Sequence, residues 1–452
     1  MDVRRTVRAV AHGRLDPRAI VEDSHAAWAA QDAVLGALTA PLYDHARKEA
    51  ARLVARLSRA ALPLAGVTVA VKDMIDVTPA ACCAGLPFLG DYRPARDAEA
   101  VRRLRRAGAL VIGAAATDCA GFDVRTAAVA NPVHAGTTVG GSSGGAAAAV
   151  AAGYAQIGLG TDSGGSVRIP AACCALAGFK PSLGLIPTDG VRPLARSLDH
   201  VGLMARCVDD IAAALPVLAD EAPGRTGRVT RILYEPDMER EAAPPVRAAM
   251  RRVRRACAAM GLPVEPAPLP LRRDLDDMHL TIFAAEATAA HMSDFAGKFD
   301  AYPRRVQRLF QIASETPSWR MALAERDRDR FRAAIDAMLG GGALLLAPTL
   351  PVPPPLREAR TVTVAGEPMS FTAALIRNTL PFNHAGTPVL SLPVPERRGP
   401  PVASVQIVGR YDEDARVLAF AARLEKTLAI TAPDAPSSGR RQRRKKAPSA
   451  RR

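Results

Sequence analysis

Between residues 136 and 184 the chain is dense in Gly, Ala and Ser, and no other stretch limits its fold so strongly. GGSSGGAAAAVAAG (140–153) reads as a loop opening a helix of small residues, and AQIGLGT then reads as a strand. A helix with so little side-chain bulk must lie close against its neighbours. Aromatic residues are only 4% of the sequence, so the core has to be built mainly from Ala, Val, Leu and Ile. Such an interior suits a layered α/β domain better than a small barrel.

The flanking segments carry the same alternation. Residues 15–60 have helical periodicity with charged faces, and GVTVAV (66–71) reads as a buried strand ending at Lys72. A helix is expected over 97–108 and a strand over 109–115, which together suggest a partly parallel sheet with crossover helices. RILYEP and GLPVEP look like strand pieces around the helix PPVRAAMRRVRRACAAM, and residues 280–340 look helical. ALLLAPTLPVPPP (343–355) reads as a strand running into a loop, and residues 401–428 as strand, turn and helix. With no internal repeat, the simplest organisation is one domain over 1–430. It divides into N-terminal helices (1–60), a core (about 61–215), an elaboration (about 221–340) and a C-terminal strand–helix part (341–430).

Chemistry concentrates in GTDSGGSVRIP (160–170), a strand, a turn with two glycines, then Ser166 at a helix start. Glycines let consecutive backbone N–H groups converge, so Ser163, Gly164, Gly165 and Ser166 could face the oxygen of a tetrahedral intermediate. One such donor is worth about 2.7–4 kcal/mol of barrier. An ordinary Gly-rich turn or a phosphate-binding nest is the competing reading of that segment alone. Ser142 precedes Ser166 by 24 residues, with one helix and one strand between them, a spacing that can bring both hydroxyls together. The loop at 140–145 lacks a P-loop ending and a dinucleotide fingerprint, GxSxG is absent, and no histidine stands in a triad context. Lys72 could supply the base, because burial at the end of an apolar strand disfavours its charged form. A strand-end lysine reaching solvent is the alternative.

Taken together, the strand lysine, GGSSGG and the block at 160–170 resemble the amidase signature family. The likeness extends through GFKPSLGLIP (178–187), SLDHVG (197–202), PFNHAGTPVLSLP (381–393) and VASVQIVGRYDEDARVL (402–418). The resemblance implies a large twisted mixed β-sheet covered by α-helices on both faces. It implies Ser166 as nucleophile, Ser142 as a proton relay after a cis Gly141–Ser142 peptide, and Lys72 as base. Ser143 and Asp162 would support the loops. Arg168 would anchor the helix start, or alternatively bind a carboxylate. Where the family often has K-T-N-x-x-E-F-A, this chain has AAATDCAGFDVRT (114–126), and position 146 is Ala where Ser is frequent.

The reaction so implied is hydrolysis of a linear amide without a cofactor. The alternatives are the amidase component of a tRNA-dependent amidotransferase and a catalytically silent binding protein. Cys119, Phe122, Asp189, Val191, Phe382 and His384 are the substrate-contact candidates, each with core or loop packing as its competing reading. So few aromatics offer no obvious stacking platform for an aryl amide. The eight histidines and seven cysteines show no metal-ligand spacing, and the cysteines read as small buried apolar residues. No apolar run is long enough for a membrane span and no leader is evident, so a cytoplasmic enzyme is the default. Of the +15 formal charge, a net of +7 lies in residues 431–452. That tail reads as disordered, with an anionic partner as the sharper alternative, and a homodimer is compatible with the sequence.

Overall fold

The computed structural model describes residues 1–431 except 58–60, 91, 225, 273–274 and 397. The basic tail falls outside the described residues. Thirteen strands are present among them: β1 (Leu38–Pro41), β2 (Thr68–Lys72), β3 (Leu110–Ala115), β4 (Ile157–Asp162), β5 (Ala177–Lys180), β6 (His200–Ala205), β7 (Arg231–Tyr234), β8 (Val264–Pro266), β9 (Ala343–Pro348), β10 (Thr361–Val364), β11 (Glu367–Ser370), β12 (Val389–Pro393) and β13 (Ser404–Val408). Eleven of them form one sheet in the order β1-β3-β2-β4-β6-β5-β12-β13-β9-β7-β8, while β10 and β11 make a separate hairpin.

The sheet is mixed. β3, β2 and β4 are parallel neighbours, as are β8, β7 and β9, and antiparallel pairings join these two groups through β6, β5, β12 and β13. Successive side chains of a strand point to opposite faces. Val69 and Val71 therefore enter one core, with Leu344, Leu346 and the helices Pro244–Ala259 and Asp414–Thr431. Ala70 enters another, with the helices Pro17–Leu35 and Gly144–Ala152. A third core joins Leu345 and Ala347 to Ile282, Phe331 and Ile335 of the helices Leu275–Asp294 and Ser318–Met338. Helices thus cover both faces. β1, β5, β6, β12 and the β10–β11 hairpin are additions to the strands expected from the sequence, and the helical stretch 280–340 consists of several helices.

Small residues place the two serine loops. The helix Gly144–Ala152 packs over β2 and β4. A Cβ on Gly160 would stand 2.6 Å from Ser143 Oγ, so only glycine lets β4 approach the start of that helix so closely. β2 and β4 run parallel with Val71 opposite Leu159, which brings Lys72 level with Gly160 and next to Thr161. No helix among the described residues is long and apolar enough to cross a membrane.

Candidate active site

Lys72 is fully buried at the carboxyl end of β2. Its Nζ donates to Ser142 Oγ at 2.7 Å and to Thr161 Oγ1 at 2.6 Å. Burial pushes its pKa down to about 8, partly opposed by the carboxylates of Asp118, Asp199 and Asp162. A neutral lysine is therefore accessible near physiological pH, as a general base requires. The other fully buried lysine of this region, Lys180, donates to the carbonyls of Pro181 and Thr387 and faces His200 Nε2, so its polar contacts involve no serine.

Ser142 follows a cis peptide with Gly141. Its carbonyl accepts from Thr117 Oγ1 at 2.9 Å and Thr126 Oγ1 at 3.3 Å, which pins the loop just before its helix. Ser143 links both neighbours. Its hydroxyl donates to the Thr161 carbonyl and its N–H to the Ser166 carbonyl, each at 3.2 Å. The two serine loops are thus held side by side, although the Ser142 and Ser166 hydroxyls share no hydrogen bond among the described residues. Such contacts commonly tighten only when substrate binds.

The turn at 162–168 is organised by a carboxylate. Asp162 Oδ1 accepts from Gly165 N–H at 2.9 Å, and Oδ2 accepts from Val167 N–H at 3.2 Å. Arg168 completes the clamp, with Nη2 at 2.9 Å and Nε at 3.0 Å from the same carboxylate. Burial alone would raise the Asp162 pKa, but Arg168, Lys180 and Asn383 hold it well below the usual carboxylate range. The remaining Arg168 donors reach Thr379 O, Gln406 Oε1 and Asn383 Oδ1. Arg168 therefore anchors the helix start and has no group left for a substrate carboxylate.

The expected set of oxyanion donors needs a correction. Gly165 N–H is occupied by Asp162, which leaves Ser163, Gly164 and Ser166 as the backbone N–H groups with no protein partner among the described residues. Gly165 keeps a structural role instead. Its φ of +131° and a would-be Cβ 2.3 Å from Thr379 Oγ1 exclude any side chain, and Thr379 Oγ1 itself donates to Gly164 O at 2.6 Å. The Ser163 hydroxyl is taken by Asp199 Oδ1 at 2.5 Å.

The substrate-contact candidates separate. Cys119 and Phe122 follow Thr117, whose hydroxyl donates to the Ser142 carbonyl, and both pack against the cluster that includes Tyr302 and Phe310. Asp189 does not join them. It is exposed in a charged cleft with Arg96, Glu99, Arg102, Arg103 and Asp220, because its loop packs on the helix Glu99–Arg106. Val191 forms a β-bridge with Ile75, and Phe382 is fully buried core. His384 is also fully buried, with Nε2 at 3.1 Å from Nδ1 of His279. His279 was not legible as a site residue, yet a Cβ on Gly164 would stand 3.9 Å from its Cε1. Thr161, Asp199, Thr379 and Asn383 were likewise missed. Thr161, Asp199 and Asn383 sit inside the motifs already singled out, whereas Thr379 lies just outside them. Cys82, Cys173, Cys174 and Cys257 are buried, and Cys83, Cys119 and Cys207 are partly exposed.

A family model described as Amidase matches residues 19–418. The AtzE subunit of 1-carboxybiuret hydrolase from Pseudomonas sp. (strain ADP) is 28% identical over 432 residues, covering 90% of this chain and 94% of its own. The A subunit of glutamyl-tRNA(Gln) amidotransferase from Deinococcus radiodurans is 30% identical over 476 residues, covering 94% and 96%. Among solved structures, that of 6-aminohexanoate cyclic dimer hydrolase complexed with substrate matches with a TM-score of 0.84 and 26% identity, covering 95% of this chain and 97% of that one.

Proposed function

This chain belongs to the amidase family of hydrolases, and on that premise we propose that it cleaves a linear carboxamide through an acyl-enzyme on Ser166. The observation that carries the reading is the 2.7 Å contact of a fully buried Lys72 Nζ with Ser142 Oγ, beside the Ser166 turn. With Lys72 neutral, Ser142 gives its proton to Nζ and takes one from Ser166 as the Ser166 oxygen bonds to the amide carbon. The oxyanion meets the free N–H groups of Ser163, Gly164 and Ser166. Ser142 then protonates the leaving nitrogen as the C–N bond breaks, releasing ammonia or an amine. Water, deprotonated along the same relay, attacks the ester and frees the acid and Ser166.

Similarity to the amidotransferase component over nearly the whole chain favours a second reading. There the same chemistry would deliver ammonia to a partner protein rather than to solvent. A homodimer and an anionic partner for the basic tail are further proposals that stand on the sequence alone. The deciding experiment is ammonia release from aliphatic, aromatic, cyclic and dicarboxylic amides, run beside Ser166→Ala. Turnover by the wild type and its loss in the variant are expected. Equal inactivity on every substrate would sink the stand-alone hydrolase, and co-purification with tRNA and a second protein component would favour the amidotransferase.

A further inference from the structure

Aromatic residues are scarce in this sequence, yet a row of rings leads away from the Ser166 turn. It begins at His279, whose Cε1 faces Gly164 at the 3.9 Å noted for a would-be Cβ. His279 stacks on Phe283, with centroids 5.3 Å apart and planes at 21°. Phe283 meets Phe122 edge-on at 6.2 Å. Behind them, Phe122 packs against His291 at 4.8 Å and Phe310 at 5.7 Å. His279, Phe283 and Phe122 are each half-buried, while His291 and Phe310 are buried. The rear layer fixes the front layer, and the front layer keeps part of its surface open.

Both ends of the row are tied to the serines. His279 abuts the turn that carries Ser166, and Phe122 belongs to the segment whose Thr117 donates to the Ser142 carbonyl. The row therefore runs from the Ser166 turn to the segment that follows Thr117. It is also uncharged, because burial pushes the His279 pKa down to about 4 and its Nδ1 is paired with His384. Arg305, which donates to the Phe122 carbonyl, already pairs with Asp123 at 3.3 Å and Asp118 at 3.9 Å.

We propose that His279, Phe283 and Phe122 form the wall that receives the substrate's side group, and that the preferred amide carries a flat aromatic ring beside the scissile carbonyl. The proposal deepens the amide-hydrolysis reading and rests on it for the identity of the reacting bond. Rings that stack or meet edge-on gain from quadrupole attraction, which a saturated ring of similar size cannot supply.

The test compares benzamide with cyclohexanecarboxamide. The wild type should favour benzamide in kcat/KM, and Phe283→Leu should reduce that preference about 2- to 10-fold, mainly through KM. Phe283→Tyr, which keeps the ring, should restore it. Equal kcat/KM for the two amides, or a preference unchanged in Phe283→Leu, would overturn the inference. Calorimetric titration of Ser166→Ala with both amides separates this from the reaction itself. If benzamide binds more tightly there but no variant or wild type turns over, the wall stands and the hydrolysis reading fails. If neither amide shows a preference in binding or turnover, the wall fails on its own.

Discussion

Lys72 Nζ sits 2.7 Å from Ser142 Oγ, and the two residues are 70 positions apart in sequence. Strand pairing makes the contact. β2 and β4 are parallel, the helix Gly144–Ala152 crosses both, and its loop delivers Ser142 to the end of β2. The lysine is buried by the same arrangement, so its position and its basicity have one cause.

From this follows the pH dependence of turnover. Burial holds Lys72 near 8 rather than 10.5, and the base must be neutral, so kcat/KM should rise with pH through about 8. Asp118 is the largest influence opposing that depression. Asp118→Asn should therefore lower the Lys72 pKa further and move the rising limb to lower pH. A pH–rate profile of both proteins checks it; a limb that stays put or moves upward refutes the assignment.

Replacing the base should separate activity from stability. Lys72→Met keeps the length and apolar body of the side chain while removing its proton acceptor, and a lost general base typically costs about 10²- to 10⁴-fold in rate. The fold should not suffer, because a buried ammonium is unfavourable below about 8. Between about 8 and 10.5 the unfolded chain binds more protons at this site than the folded one, so wild-type stability gains from this group as pH rises, and the variant lacks that gain. Single-turnover rates and thermal melts across this range measure both. A variant with near-normal turnover removes lysine as the base.

The proposed trio was readable for Ser166 from its own Gly-rich turn, and for Lys72 and Ser142 chiefly from the ordered pattern of the three motifs. What surrounds the trio was not. Asp199 meets Ser163 through the β4–β6 pairing, and His279 reaches Gly164 from a helix more than a hundred residues further on. His279 carries no local signal, and SLDHVG announces Asp199 without showing that Ser163 is its partner. The occupied N–H of Gly165 shows the same limit at short range, since two glycines announce a backbone cradle without saying which donor the neighbouring carboxylate will take. Scarcity of aromatics was also a poor guide, because Phe122, Phe283 and Phe310 gather only through tertiary packing.

Gly165→Ala tests the turn directly. A methyl group would meet Thr379 Oγ1 at 2.3 Å and Ile169 Cδ1 at 2.8 Å, in a backbone conformation of φ +131° that side chains disfavour. Strain of this kind costs about 1–3 kcal/mol, and relief requires moving Thr379 or the adjacent oxyanion donors. Denaturant unfolding should show the loss, and kcat should fall with little change in KM. Unchanged stability and turnover would mean that the turn is not held as tightly as Thr379 implies.

The buried Asp162–Arg168 pair is the strongest constraint on that turn, with both side chains fully shielded from solvent. Asp162→Ala would strand the guanidinium and release the N–H groups of Gly165 and Val167 together. Breaking one partner of a buried pair costs about 3–5 kcal/mol, because the charge left behind has neither water nor a counterion. Arg168→Lys should be damaging too. One ammonium cannot serve Asp162, Thr379, Gln406 and Asn383 in the directions that the guanidinium reaches. Unfolding free energies should rank the wild type above Arg168→Lys, and Arg168→Lys above Asp162→Ala. Activity should fall in both variants, in Asp162→Ala because the freed Gly165 N–H lets the turn reorganise, and in Arg168→Lys because the carboxylate that holds the turn loses its bidentate clamp. A fully active Asp162→Ala would show that the turn holds its shape without the carboxylate.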